Sequence, residues 1–267
     1  MSCAQRARRW LVFGGLAALA SACNGGQTKY MGSHAPFAGC DASPTVPPTA
    51  LGLDPFYAKY LDGYGTPVVA SDKVSDRALQ AACRITGEMV SARADVRAAL
   101  ASNRLRVAVL ATSEVTTDIP EYADLYLAFP GSDWNALRGI SATRVRPVSS
   151  CDEQNLLCLA SDAYPGQTIL VQMLAHSLRD LGIVDVDAQF TDHVRTAYAS
   201  AMNNGLWNNT WAANGADYYW AIGAQVWFGA NTQAPVNSRA ALVGYDPTLA
   251  ALLGAYLPAD DWHPGCY

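Results

Sequence analysis

The chain has 267 residues, a length that suits one domain of ordinary size with a substantial hydrophobic core. Hydrophobic residues make up 51% of the sequence and charged residues 15%, a balance that excludes an intrinsically disordered chain. The formal net charge is −5, which excludes the basic surface that nucleic-acid-binding proteins use. We therefore expect a globular protein without a nucleic-acid partner.

Residues 1–22 have the pattern of a secretory signal peptide, with three arginines followed by an apolar run over residues 10–20. This run is too short to span a membrane in the mature protein. Residues 19–23 (LASAC) resemble a bacterial lipobox, in which the cysteine is lipidated after cleavage, although the leucine lies one position further from Cys23 than usual. We expect an exported protein, either a membrane-anchored lipoprotein of the bacterial envelope or, if cleavage is the ordinary kind near Ala22, a secreted one.

Residues 23–50 are predicted to be a flexible tether, because they are rich in Gly, Ser, Thr and Pro and show little apolar periodicity. The folded domain is then predicted to cover residues 51–267. Together with the lipobox, the tether suggests a domain that is held at a membrane through an N-terminal lipid anchor.

Five cysteines remain when one in the signal peptide and one at the processing site are set aside, and in an oxidising compartment they are expected to form disulfides. We predict a bond between Cys151 and Cys158, which closes a short loop, and one between Cys40 and Cys266, which ties the ends of the domain together. Cys83 would then be a buried free thiol, and pairing of Cys83 with either end is the alternative.

Hydrophobic periodicity predicts a helix-rich α+β fold with a small sheet. Ser75 is a suitable N-cap for a helix over residues 76–91. The other predicted elements are a helical or irregular segment at 54–60, helices at 94–101, 168–180, 187–203, 214–228 and 246–256, strands at 106–111 and near 143–148, and a loop at 114–124.

Two of the predicted helices carry the candidate site. Residues 168–180 (TILVQMLAHSLRD) contain a single histidine, His176, with Gln172 one turn earlier on the same face. Residues 214–228 (NGADYYWAIGAQVWF) are rich in aromatic residues and contain one carboxylate, Asp217. A lone histidine on an apolar helix is usually a core residue, so these two patterns alone do not predict a metal site.

The chain resembles a family of secreted zinc-metallopeptidase-like proteins that are related to the catalytic domain of anthrax lethal factor. The resemblance covers most of the mature chain and rests on residues 54–79, 106–125, 150–176, 197–228 and 237–253. In that family the helix after a Tyr-Pro-Gly turn carries the motif H-E-F-A-H, and a later helix reads roughly A-D-E-Y-W-A-E-G-V-Q-x-W-F, with its last glutamate as the third zinc ligand. The resemblance implies a metallopeptidase-like domain of the zincin type.

When the family's motif is aligned with this sequence residue by residue, one of its zinc and catalytic residues is present here and the others are replaced. His176 matches the second zinc histidine, whereas Gln172 stands at the first histidine and Met173 at the catalytic glutamate. Ile222 stands at the ligand glutamate, and Tyr218 at the supporting glutamate before it. Glutamine is a poor zinc ligand, methionine a weak one and isoleucine none, and peptide hydrolysis needs a general base or a metal-polarised water. We therefore expect neither bound zinc, the cofactor of the family, nor catalysis.

The remaining candidates are binding residues: His176 on the first of these helices, and Trp211, Asp217 and Tyr219 on or just before the second. Trp211 stands at a position that the family often gives to tyrosine. Aromatic residues at helical spacing are usually core, but these could also line a groove that binds a peptide, an envelope protein or a glycan.

The main hypothesis is a pseudoenzyme with a binding or structural role at the former active-site cleft. Two alternatives stay open. One is an active metal-dependent hydrolase with a rearranged site, in which His176 acts with Asp180 or Asp217. The other is a scaffold protein of the cell envelope whose cleft is filled by aromatic side chains.

Overall fold

The computed structural model describes residues 35–266. The predicted signal peptide, Cys23 and residues 23–34 of the predicted tether therefore lie outside the described residues. Within the described range, no helix combines the length and the apolar character that crossing a bilayer requires. The architecture is helix-rich α+β with one small sheet, which confirms the predicted fold class.

The sheet has four strands in the order β1-β2-β3-β4: Lys59–Asp62, Pro67–Ala70, Arg106–Leu110 and Val148–Asp152. Strands β1 and β2 form an antiparallel hairpin, and its turn includes Gly65 at a φ of 87°, a value that glycine adopts without strain. The pairs β2–β3 and β3–β4 are parallel, with Val107 opposite both Val68 and Ser149. Helices connect the parallel strands, as such crossovers require.

The described helices fall into long and short groups. The long helices are α1 (Asp76–Met89), α2 (Ala94–Ser102), α5 (Ile169–Leu178), α7 (Phe190–Asn203), α8 (Ala216–Trp227) and α10 (Pro247–Gly254). The short ones are α3 (Leu125–Ala128), α4 (Glu153–Leu156), α6 (Val184–Val186) and α9 (Arg239–Tyr245). Helix α1 begins as predicted, because the Ser75 hydroxyl accepts a hydrogen bond from the backbone N–H of Ala78.

The sheet separates two hydrophobic cores, since successive residues of a strand face opposite sides. Val107 and Val109 of β3 face the larger core, which α1 and α5 cover and which continues between α5, α8 and α10. Ala108 and Leu110 face a smaller core that is closed by Tyr122 and its neighbours in the segment 116–125. Helices α5 and α8 therefore pack directly on each other inside the larger core.

Several predicted boundaries are wrong. Residues 54–60 lead into β1, and the hairpin β1–β2 was not predicted, because its strands have four residues each and the turn glycines interrupt the apolar pattern. Strand β4 lies at Val148–Asp152, after the predicted edge strand near 143–148. All five residues of β4 are buried, but three of them are polar (Ser149, Ser150 and Asp152), so the sequence has neither the apolar run nor the alternation that would mark a strand.

The cysteine pairing corrects the two disulfides of the main prediction and confirms the alternative, in which Cys83 pairs with one end of the domain. Cys40 bonds to Cys83 and Cys158 bonds to Cys266, with Cα–Cα distances of 5.5 and 5.4 Å. Cys151 is a free thiol inside β4, and burial raises its pKa well above the ordinary value. Because Cys151 lies within the core, it cannot turn outward to meet Cys158. Two disulfides indicate an oxidising, extracellular environment.

The part of the predicted tether between residues 35 and 50 is attached to the domain. Cys40 is buried and bonded to α1, and Asp41 forms an ion pair with Arg84 of the same helix. Thr45 exchanges two main-chain hydrogen bonds with Tyr60 of β1, at 3.0 and 2.7 Å. The folded domain therefore begins before residue 51.

Candidate functional site

Helices α5 and α8 bring the residues of the predicted site together. The indole N–H of Trp220 in α8 donates to the Ala175 carbonyl in α5 at 2.9 Å, which fixes the two helices against each other. At the next residue of α5, the His176 ring lies edge-on against Tyr218, with 5.6 Å between the ring centroids and an interplanar angle of 85°. The residues at the second histidine position and at the supporting glutamate position of the family are therefore neighbours.

His176 is 8% exposed, and burial lowers its pKa to about 4, an effect that the nearby Asp217 partly opposes. The imidazole is therefore neutral at neutral pH. Helix α5 passes at Arg179 into a π-helical turn, Arg179–Ile183, so the stacking of residues four apart does not continue to Asp180. Asp180 pairs with Arg179 at 3.4 Å. In the part of the chain that the structure describes, no ion pair joins His176 to a carboxylate.

The Met173 side of α5 is covered by the chain segment 139–142. Gly139 lies so close that a Cβ there would be 3.4 Å from Met173 Cγ and 3.0 Å from the Ser150 carbonyl oxygen. The backbone N–H of Ser150 donates to the Ile140 carbonyl at 2.8 Å, and the N–H of Ala142 donates to a serine hydroxyl of α5 at 2.9 Å. This segment therefore contacts both β4 and α5.

An open cleft of about 340 Å³ lies beside Ile222 of α8, one helical turn beyond Tyr218. Its walls carry five carboxamide side chains, those of Gln167, Asn209, Asn214, Asn231 and Gln233. We call it the carboxamide cleft. None of the residues that line it has an ionisable side chain. The surface that the cleft offers to a ligand is therefore polar but uncharged.

Two of the residues that the sequence singled out line the carboxamide cleft, namely Ile222 and Trp211. Trp211 is 65% exposed, and its ring lies 6.1 Å from that of Tyr218 at an angle of 35°. The aromatic series Trp211–Tyr218–His176 therefore runs from the cleft to α5. His176 does not line the cleft; it lies at the buried end of this series.

The loop between α7 and α8 presents Trp211 and Asn209 to the cleft and is held by Trp207. Trp207 is fully buried, and its indole N–H donates to Asp246 Oδ2 at 2.9 Å. Its backbone N–H donates to the Tyr245 hydroxyl at 2.6 Å. Trp207 and Asn209 both have left-handed backbone conformations, with φ of 60° and 61°. Non-glycine residues in this region cost free energy and persist where the surrounding structure fixes them, so this loop is preorganised.

The structure corrects the assignment of Tyr219 as a binding residue. Tyr219 is fully buried, and its hydroxyl donates to Asp246 Oδ2 at 2.6 Å. Burial and the Asp246 carboxylate raise its pKa far above the ordinary value. Its role is to hold α8 and the start of α10 together. Asp217, in the first turn of α8, is half-buried and does not line the cleft.

Sequence reasoning missed the carboxamides that form the cleft. They come from three separate segments, at residue 167, residues 209–214 and residues 231–233. The one hint in the sequence was the high asparagine content of residues 203–214, a pattern that is typical of a helix end followed by a loop. Main-chain pairing between Gln167 and Asn231 brings two of the three segments together.

No protein-family model and no curated protein matches the chain. Among solved structures, the chain is similar to the Pro-Pro endopeptidase PPEP-2 from Paenibacillus alvei, with a TM-score of 0.50 and 14% sequence identity. The match covers 70% of this chain and 95% of the endopeptidase. The fold is metallopeptidase-like. At this identity the similarity shows the metallopeptidase-like fold alone, and it shows no relation to a particular family.

Proposed function

We propose that the chain is a noncatalytic binding protein, a pseudoenzyme with a metallopeptidase-like fold of the zincin type, and that it holds its ligand in the carboxamide cleft without hydrolysing it. The observation that carries this proposal is the pair of helices α5 and α8. The two helices pack against each other as those of a zinc-peptidase site would, and His176 lies beside Tyr218. The cleft next to them is open and has no charged lining residue.

The donor set at the aligned positions does not fit a zinc ion. His176 offers one imidazole, and Gln172, Met173 and Ile222 supply no strong zinc ligand between them. The buried imidazole lies against an aromatic ring, and Met173 lies against Gly139. Within residues 35–266, no three ligating side chains of the His, Cys, Asp or Glu type lie together. We therefore assign no catalytic residue and no metal, and derive no reaction step.

The cellular setting is part of the proposal. The N-terminal pattern supports export and lipidation at Cys23, which would attach the domain to a membrane of the bacterial envelope; without lipidation the protein would be secreted. The candidate ligands from the sequence are a peptide, a segment of an envelope protein or a glycan. Since PPEP-2 is an endopeptidase, a peptide is the ligand that the fold alone would suggest.

One alternative has an observation in its favour. Asp217 raises the pKa of both His176 and Asp180, so these three groups lie within electrostatic range of one another, as a rearranged hydrolase site would need. The scaffold alternative needs a filled cleft, whereas the carboxamide cleft is open and Trp211 is largely exposed.

The zinc content of the purified full chain, measured by elemental analysis after dialysis, tests the proposal. We expect no stoichiometric zinc in the natural chain. In the triple variant Gln172→His, Met173→Glu and Ile222→Glu, we expect close to one zinc per chain, because all three substitutions restore strong ligands or the catalytic base. Zinc near one per chain in the natural protein would overturn the proposal. A folded triple variant without zinc would show that α5 and α8 are not the remains of a zinc site.

A further inference from the structure

We propose that the ligand of the carboxamide cleft is an uncharged saccharide, and that Trp211 is the surface on which a sugar ring stacks. The inference rests on the binding role proposed above and adds the chemical class of the ligand. Four properties of the cleft support it: its charge, its hydrogen-bonding groups, its aromatic wall and the absence of a strand edge for a peptide.

The first property is the charge of the cleft. Its lining residues include five carboxamides, the hydroxyl of Thr210, the indole of Trp211 and the aliphatic side chain of Ile222, but no ionisable group. A charged ligand would lose part of its hydration in such a cleft without gaining an ion pair, and this loss would lower its affinity. An uncharged ligand does not incur this cost.

The second property is the kind of hydrogen bond that the cleft offers. A carboxamide both donates and accepts, and so does a sugar hydroxyl, so the two match without regard to which group supplies the proton. Asn209 and Asn214 are exposed, and neither side chain has a hydrogen-bond partner within residues 35–266. These two side chains are therefore available to a ligand.

The other carboxamides form a fixed wall of the cleft. Asn231 is 4% exposed, and its Nδ2 donates to Gln225 Oε1 at 2.8 Å, while its Oδ1 accepts from the backbone N–H of Gln233 at 2.9 Å. The Gln167 side chain donates to Gln233 Oε1 at 3.2 Å. Since these groups are already held in place, a ligand would lose little affinity to ordering them.

The third property is the exposed indole of Trp211. A large aromatic ring that is 65% exposed on a preorganised loop, and supported on one side by Tyr218, offers a flat apolar face beside polar groups. The faces of aromatic rings carry partial negative charge, and one face of a pyranose ring presents C–H groups with partial positive charge. Stacking of the two rings with hydrogen bonds around their edges fits the arrangement in the cleft.

The fourth property separates a saccharide from a peptide. One common way to bind an extended peptide is to add it as a strand to a free sheet edge. Here the Ile140 carbonyl accepts a hydrogen bond from the Ser150 N–H on the edge of β4, and Thr45 pairs with Tyr60 on the outer edge of β1. Within the cleft, the main chains at Gln167 and Asn231 are paired with each other. The carboxamide side chains of Asn209 and Asn214 are exposed to the cleft, and such side-chain groups match sugar hydroxyls.

The volume of the cleft agrees with a short saccharide. At about 340 Å³ it lies at the lower end of the range for small-molecule sites, about 300–1,000 Å³. The cleft is open to solvent at one side, so a longer chain could extend past Trp211, which stands at its exposed wall.

The test is a titration of the purified full chain, followed by tryptophan fluorescence and calorimetry, with cello-, malto- and chito-oligosaccharides as uncharged probes. An oligogalacturonate serves as the charged saccharide and a blocked, uncharged proline-rich peptide as the peptide probe. We expect saturable binding of at least one uncharged oligosaccharide. Its affinity should change little between about 0.05 and about 0.5 M salt, because no ion pair contributes.

The variant Trp211→Ala should weaken this binding by at least about tenfold, since it removes the stacking surface. The matched control is Phe129→Ala, because Phe129 is also an exposed aromatic residue, at 52%, but its ring contacts Trp134, which packs against the smaller core. This control should bind like the natural chain, and Asn214→Ala should give an intermediate loss.

Each of the other outcomes of the titration would overturn the saccharide assignment. Binding of the peptide without binding of any uncharged saccharide would assign the cleft to peptides and leave the proposed binding role standing. Preference for the charged saccharide, or full affinity in Trp211→Ala, would contradict the role of the uncharged cleft. If no probe binds, the saccharide assignment fails, while the zinc measurement continues to decide separately whether the site is a former zinc site.

Discussion

At the scale of single residues, His176 shows how this fold accommodates a histidine that belongs to no group of three metal-ligating side chains within residues 35–266. It is buried against Tyr218, and burial lowers its pKa to about 4, so the imidazole stays neutral at physiological pH. A neutral imidazole in this position contributes to packing. It also makes stability depend on pH, because the unfolded chain takes up a proton at His176 near pH 6.5 and the folded chain does so only near its lowered pKa.

The expected result is a loss of stability in mild acid. The free energy of unfolding should fall by up to about 3 kcal/mol between about pH 6.5 and about pH 4 as a result of His176 alone. The variant His176→Asn should lose this part of the pH dependence, whereas His193→Asn, at an exposed histidine of α7, should keep it. Urea unfolding at a series of pH values is the measurement, and equal pH dependence in the natural chain and His176→Asn would contradict the buried neutral state.

At the scale of elements, Asp246 joins three parts of the molecule. It accepts hydrogen bonds from Trp207, in the loop that presents Trp211, and from Tyr219 of α8. It also caps α10, because its Oδ1 accepts from the backbone N–H of Leu249 at 3.0 Å. The position of the cleft loop therefore depends on a carboxylate that does not touch the cleft.

Replacement of this carboxylate should loosen the loop. We expect Asp246→Asn to lower the free energy of unfolding by about 1–3 kcal/mol, because an amide cannot accept all three hydrogen bonds and leaves a buried donor without a partner. The loop around Trp211 should also exchange its amide hydrogens faster. The control is Asp192→Asn at an exposed position of α7, which should change stability by less than about 0.5 kcal/mol. Equal effects of both variants would contradict the role of Asp246.

Elements also show how far sequence reasoning reaches. Helix α1 was predicted because its signals are local: the Ser75 cap and an apolar face with regular spacing. Strand β4 was misplaced because three of its five buried residues are polar, so its sequence lacks the apolar pattern of a strand. The sequence left the pairing of Cys83 with either end open, and Cys40 is its partner. The predicted Cys151–Cys158 bond was wrong because pairing depends on tertiary distance: the partner of Cys158 is 108 residues away in the chain. The carboxamide cleft was missed for the same reason, since no segment by itself carries more than part of it.

At the scale of the whole molecule, the two disulfides tie down both ends of the described domain. The bond between Cys158 and Cys266 closes a separation of 108 residues and holds the C-terminal residues against the loop after α4. A second link in that region is the indole N–H of Trp227, which donates to the Pro258 carbonyl at 2.7 Å. Cross-links over long separations restrict the unfolded chain most.

Removal of this bond should therefore lower stability without changing the fold. We expect the double variant Cys158→Ser and Cys266→Ser to lose about 2–4 kcal/mol in the free energy of unfolding, with unchanged far-ultraviolet circular dichroism. A reductant should destabilise the natural chain more than the double variant, which keeps only the Cys40–Cys83 bond. Peptide mapping under non-reducing conditions checks the pairing itself, and recovery of a Cys151–Cys158 peptide would contradict it.

The Cys40–Cys83 bond has a mechanical consequence. Because Cys83 lies in the middle of α1, tension applied to the chain before Cys40 passes through the disulfide into the helix that covers the larger core. Without the bond, the same tension would reach β1, the outer strand of the sheet, and separate its pairs with β2 one after another from the end. The oxidised domain therefore resists pulling at its N-terminal side by shearing a packed helix, and the reduced domain yields by unzipping a strand.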